Sequence, residues 1–188
     1  TVTAHIQAGT AFDDKAGVAE TLASILKSGC SSMSKNFLQE VDDMAAQYSV
    51  TMDQEGTAIS LNVASEDIAW AIKSLSAILQ SPCINYQTVA AYKGGGVDNA
   101  INDRNASDGN LNVAVGLFNK HLYDGHPYSS GVTAAQAASV SVGDVTGFYR
   151  KYFTPANIAI GVGGDFDRSE METMLSDTMA EWPGGERP

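Results

Sequence analysis

The sequence predicts an α+β fold, a largely antiparallel sheet covered by helices on one face. Three observations carry this expectation. Short stretches with an apolar residue at every second position recur at the start, around residue 60 and around residue 160. Longer stretches between them place apolar residues at every third or fourth position, the spacing of a helix face. The patterns also come in groups (strand, two helices, two strands, several helices, strand, helix) rather than in the strict alternation that builds parallel sheets.

Each element has its own signals. Val2, Ala4 and Ile6 alternate within 1–7, and Gly9 with Asp13-Asp14 marks a turn. A helix is expected over 16–28, with an apolar face at Val18, Leu22, Ile25 and Leu26. Ser34 is the candidate N-cap of a second helix bearing Phe37, Val41, Met44 and Tyr48. Residues 48–53 and 57–63 read as a hairpin turning at Gln54-Glu55-Gly56. Ser65 is expected to cap a helix whose stripe is Ile68, Ile72, Leu75 and Leu79. A helical segment from Asn85 meets Gly94-Gly95-Gly96, which should break it before it resumes over 97–104. Leu111, Val115, Phe118 and Leu122 form another helical face. Ser141 with Asp144 makes a capping box ahead of Val145, Phe148, Tyr149 and Tyr152. The strand 157–162 follows Pro155, and Asp167 can cap a last helix carrying Met171, Leu175, Thr178 and Trp182.

Composition narrows the function. A net charge of −11 with scattered Lys and Arg leaves no basic footprint for nucleic acid, and it would repel an anionic membrane. No apolar run reaches the length of a membrane span, so direct membrane insertion is not expected. No signal peptide is visible and the compartment is left open. Cys30 and Cys83 share no metal-ligand spacing. Reduced, independent side chains acting as small hydrophobes are the favoured reading, with a single disulfide as the alternative.

The helix expected over 16–28 is most informative for what it lacks. A Gly start, an apolar face and a Gly stop frame it as inverzincin peptidases frame their H-x-x-E-H helix, with two His as zinc ligands and a Glu as general base. The five corresponding residues here are Glu20-Thr21-Leu22-Ala23-Ser24. Glu20 and Ser24 stand where the imidazoles would be, and Ala23 stands where the base would be.

Seven pieces in order, together nearly the whole chain, resemble the insulinase/pitrilysin-type metallopeptidase family, which includes mitochondrial processing peptidase. They are AGTAFDD, GVAETLASILKSG, the second helix leading into YSVTMDQEGTAISLNV, SEDIAWAIKSLSAILQSP, LYDGHPYSSG, SVGDVTGFYRKYFTPANIAIGVGGDF, and the terminal helix ending at Trp182. The resemblance implies a single insulinase/processing-peptidase-like half-domain over 1–188, a fragment lacking the first strand and the second half. It implies a third zinc ligand, a Glu, on a helix near 92–104, where Asp98 and Asp103 are the carboxylates present. With no His pair and no base, no catalytic residue, metal ligand or zinc is expected in this chain, and metallopeptidase activity by the chain alone is not expected. The implied partner is a catalytic H-x-x-E-H half or subunit of the same family, which would carry the zinc. The pair would enclose an extended peptide substrate. The alternative is a structural scaffold subunit of a larger assembly, like the core proteins of a respiratory complex, that handles no peptide.

Other signals are weaker. His5, His121 and His126 are the only imidazoles, and each is expected to be a surface or loop-anchoring residue. His126-Pro127-Tyr128 reads as structural. Gly161-Val-Gly-Gly-Asp165 has Phe166 where a dinucleotide fingerprint needs its third Gly. A calcium loop from Asp103 fails, with Asp108 at the Gly position and Ala114 at the Glu position.

Overall fold

The computed structural model of the protein describes residues 1–31, 34, 36–93, 109–129, 132–180, 182–185 and 188. Four strands, β1 (Val2–Ile6), β2 (Gln47–Met52), β3 (Thr57–Asn62) and β4 (Ile158–Val162), form one sheet in the order β2-β3-β1-β4. Every pairing is antiparallel. The register lines up the apolar positions: Val2 lies between Leu61 and Val162, Ala4 between Ile59 and Ile160, and Ile6 between Thr57 and Ile158. Because strand side chains alternate between faces, this register puts one apolar row toward the helices. The other face carries small and polar residues, with the Thr3 and Ser60 hydroxyls hydrogen-bonded at 2.9 Å across the strands. Thr57 sits on the buried face without penalty because its hydroxyl donates to the Ala8 carbonyl at 2.7 Å.

Helix α1 (Val18–Lys27) buries Val18, Ala19, Leu22, Ile25 and Leu26, and packs on β2. Gly29, at φ +64, turns the chain out of it. The Phe37 ring occupies the space a Cβ there would need. Helix α2 (Phe37–Asp43) is shorter than its periodicity predicts. It is not capped by Ser34, whose hydroxyl instead donates to Glu40 Oε1 at 2.6 Å. Ala45, at φ 50, ends the helical path, so Tyr48 enters β2 rather than the helix face. Its ring still meets Phe37 edge-on at 4.9 Å, and its hydroxyl donates to the Leu26 carbonyl at 2.6 Å.

Helix α3 (Ile68–Gln80) covers β1 and β3 with Ile72, Leu75 and Leu79. Ser65 does not cap it, because a 3-10 turn over Ser65–Asp67 intervenes and no side chain closes the helix start. Helix α4 (Tyr86–Ala91) begins with a reciprocal capping box between Asn85 and Thr88. The segment expected to resume over 97–104, with Asp98 and Asp103, lies outside the described residues.

Helix α5 (Gly109–Leu122) forms as predicted, but Val115, Phe118 and Leu122 are exposed. Its periodicity is helical, yet among the described residues its main packing is against the turn Pro127–Ser129. Helix α6 (Ala134–Ser139) leads to α7 (Val142–Tyr152), where the predicted Ser141–Asp144 box is present with both bonds made. Tyr149 on α7 donates to the carbonyls of Leu79 and Gln80, which fastens α7 to the end of α3. Helix α8 (Arg168–Met179), capped by Asp167, packs on α3 and buries Met171.

The favoured reading of the cysteines is overturned. Cys30 and Cys83 form a disulfide, with Cα atoms 5.4 Å apart. The fold brings the end of α1 beside the turn after α3, where Cys83 N–H donates to the Cys30 carbonyl at 3.1 Å. Sequence spacing carries no information about such an approach.

Candidate functional site

The amino end of α1 borders a cleft. Gly17, at φ +95, precedes the helix in a left-handed conformation, and a Cβ there would meet Val132 at 3.0 Å. Asp13 reaches back over this turn. Its Oδ2 accepts from Gly17 N–H at 3.0 Å and its Oδ1 from Ala19 N–H at 2.8 Å. These bonds satisfy two of the amide donors that a helix start leaves open. Burial pushes the Asp13 carboxyl up to about 6, against the lowering pull of those amides, and the nearby Glu20 charge adds to the rise. The sequence marks this residue only as part of a turn; its offset from the helix start was the available signal.

Two adjoining cavities open along this end of the molecule. One, of about 610 Å³, is lined by Asp13, Glu20, Met52, Asp53, Gln54 and His126 among others. The second, of about 600 Å³, is bordered by His5, Phe12, Asp53, Glu55 and Tyr128, and shares His126 with the first. The wall between α5 and the β2–β3 turn is built by the predicted structural loop. His126 Nδ1 accepts from Tyr128 N–H at 3.2 Å, the two rings meet edge-on at 4.6 Å, and the Tyr128 hydroxyl donates to Glu55. The amides of Glu55 and Gly56 donate to Asp53 Oδ1 and hold its carboxyl below the usual range.

The three substituted positions separate on this surface. Glu20 lines the first cavity, and its carboxylate accepts from the Tyr92 hydroxyl at 3.3 Å. Ala23 is buried, Ser24 is half-buried, and neither borders the cleft. His5 and His126 border one cavity, while His121 lies exposed on α5. Among the described residues no group of three or more His, Cys, Asp or Glu side chains is placed to hold a metal ion. The Gly161–Asp165 stretch ends β4, which pairs antiparallel with β1, so no βαβ crevice surrounds it. The cleft thus presents carboxylates, two imidazoles and the hydroxyl-bearing residues Thr10 and Ser129.

Known proteins share this architecture. Residues 139–188 match the family model described as the peptidase M16 inactive domain. A solved peptidase M16 inactive domain from Pseudomonas fluorescens superposes with a TM-score of 0.84 at 19% identity, over 100% of this chain and 46% of that one. The fold is that of the M16 peptidase inactive domain. Pitrilysin matches over 100% of this chain and 21% of its own, with a TM-score of 0.81 at 14% identity. The ferredoxin protease FusC, solved in complex with Arabidopsis ferredoxin, matches over 100% of this chain and 22% of its own, with a TM-score of 0.84 at 13% identity. No curated protein matches the chain in sequence. The chain therefore spans less than half the length of the solved chains it resembles. The expected resemblance to the insulinase/pitrilysin family is met by the family-model match over 139–188 and by the shared fold, and the expected helices on an antiparallel sheet are borne out. No helix among the described residues is long and apolar enough to cross a membrane.

Proposed function

We propose that this M16-type half pairs with a zinc-bearing H-x-x-E-H half, and that the two enclose an extended peptide for proteolysis. The observation that carries the proposal is α1 itself. It has the Gly-framed, buried apolar face that the resemblance implies for a metal-binding helix, yet offers Glu20, Ala23 and Ser24 where zinc chemistry needs two imidazoles and a base. Tetrahedral zinc with three protein ligands and a water cannot be assembled from a carboxylate, a methyl group and a hydroxyl at those positions. In this reading the whole of 1–188 is one half-domain, and the zinc belongs to the companion. Two supports are independent of α1. The solved chains that share the fold are more than twice as long, leaving room for a companion half in each. FusC was solved with a protein bound, in keeping with a polypeptide substrate.

Purification of the protein from its native cells tests the pairing. A co-purifying partner or adjoining half with H-x-x-E-H, and cleavage of an unstructured peptide only by the pair, is the expected result. Companions lacking that motif would favour the scaffold reading. Stoichiometric zinc and peptide turnover by the isolated chain would overturn the proposal outright. Combined Glu20→His, Ala23→Glu and Ser24→His substitutions are expected to leave the isolated chain inactive, as measured by turnover of the same peptide.

A further inference from the structure

The Cys30–Cys83 bond spans 53 residues of sequence and joins two places that the backbone also brings together. Ser31 and Pro82 form an isolated antiparallel bridge beside it. What hangs from the bond is α4. The Cys83 carbonyl accepts from the Thr88 hydroxyl at 2.7 Å and from the Asn85 side-chain amide at 3.4 Å, the two residues of the α4 capping box. A helix of six residues has no stability of its own in water and depends on its anchors. Beyond the bond these are Val89 and Tyr92, both buried, with Tyr92 reaching Glu20 at the wall of the cleft. Cys30 and Cys83 are each half-buried, so a thiol from solvent can approach them.

We propose that the Cys30–Cys83 bond is a redox-responsive tether that locks α4, and with it Tyr92, against α1, and that the chain acquires it in an oxidising compartment. Closure takes two electrons and two protons from the cysteine thiols and passes them to a disulfide oxidant, which leaves as a dithiol. Opening reverses the exchange: a dithiol donor becomes a disulfide, and Cys30 and Cys83 return to thiols. Disulfides persist in secreted and periplasmic proteins and are removed in reducing cytosol, so the bond also constrains where the chain works. The tether acts with or without a catalytic companion.

Two measurements test it on the whole protein. The first traps thiols with maleimide in acid-quenched native cells. Read by peptide mass spectrometry, no adduct on Cys30 or Cys83 before reduction and one on each after is expected, whereas adducts on both before reduction overturn the proposal. The second compares hydrogen exchange of the oxidised protein with that of protein reduced by dithiothreitol and alkylated. Exchange of the α4 amides is expected to accelerate by about tenfold or more while β1 and β3 stay protected, the signature of a local opening. Unchanged exchange in α4 would show a passive bond. Acceleration spread across β1 and β3 would show a staple of the entire fold. Either result overturns the tether.

Discussion

Helices α1 and α5 carry nearly the same apolar spacing and meet opposite environments. In α1, Val18, Leu22, Ile25 and Leu26 are 3% exposed or less. In α5, Val115, Phe118 and Leu122 are 47–61% exposed. Periodicity states which side chains share a face; it does not state what covers the face. For α1 the covering surface is supplied by the sheet and by α7, both built from apolar rows that the sequence also displays. For α5 no comparable row lies opposite among the described residues. The largest expected effects therefore fall on α1 and the smallest on α5.

Leu22→Ala should cost roughly 3–5 kcal/mol, because the side chain is wholly buried and the surrounding sheet cannot collapse into the gap. Denaturant unfolding checks this as a lowered midpoint at constant slope. A loss below about 1 kcal/mol would mean that α1 does not form the core, and the contrast with α5 would vanish. Gly29→Ala probes the end of the same helix. It should cost roughly 2–4 kcal/mol, with ~1–2 from the left-handed backbone and the rest from displacing the Phe37 ring. Gly147→Ala on the open side of α7 is the control of opposite sign. Nothing lies within 4 Å of its added Cβ, and a gain of about 0.5–1 kcal/mol is expected.

The cleft end of α1 adds a pH signature. Burial raises the folded-state pKa of Asp13 from 3.8 to about 6, so the folded protein binds this proton more tightly than the unfolded chain does. Its contribution to stability is fully present below pH 3.8 and is lost as pH rises through about 6. After screening by solvent the change should be on the order of 1 kcal/mol. Asp144, lowered to about 2 by its 2.8 Å contact with Lys15, acts in the opposite sense and only below about pH 4. Asp13→Asn should remove the decline between pH 4 and 6, measured as the difference in unfolding midpoint across that window. A decline that persists in the variant would assign it to another group.

Much of the fold was legible because it rests on local rules. The strand register follows from the alternation at Val2, Ala4 and Ile6, and the caps at Ser141 and Asp167 follow from side-chain reach. The parts that were not legible depend on tertiary approach. Ser65 was displaced as a cap by a 3-10 turn, and Tyr48 passed from a predicted helix face into β2 when the chain turned at Ala45. The disulfide needed two loops to meet. At the candidate site the absence of His and Glu could be read directly, since it is a matter of residue identity. That Glu20, of the three compared positions, is the one that lines the cleft, with Asp13 accepting from the amides of the helix start beside it, required the path of the chain from Asp13 to Gly17.

The exposed face of α5 gives the smallest expected effect and the finest test of the comparison. Phe and Ser have similar helix propensities, so Phe118→Ser changes burial without much changing the helix itself. With the ring 61% exposed, the stability change should stay within about 0.5 kcal/mol, the range for surface positions. Leu122→Ser, at 57% exposure, should behave alike. The measurement is denaturant unfolding of both variants at two protein concentrations. A loss above roughly 1 kcal/mol at the higher concentration only would mean that copies of the chain cover this face in solution. The same loss at both concentrations would mean that the chain itself covers it. In either case the difference between α1 and α5 would lie in the identity of the covering surface and no longer in its existence.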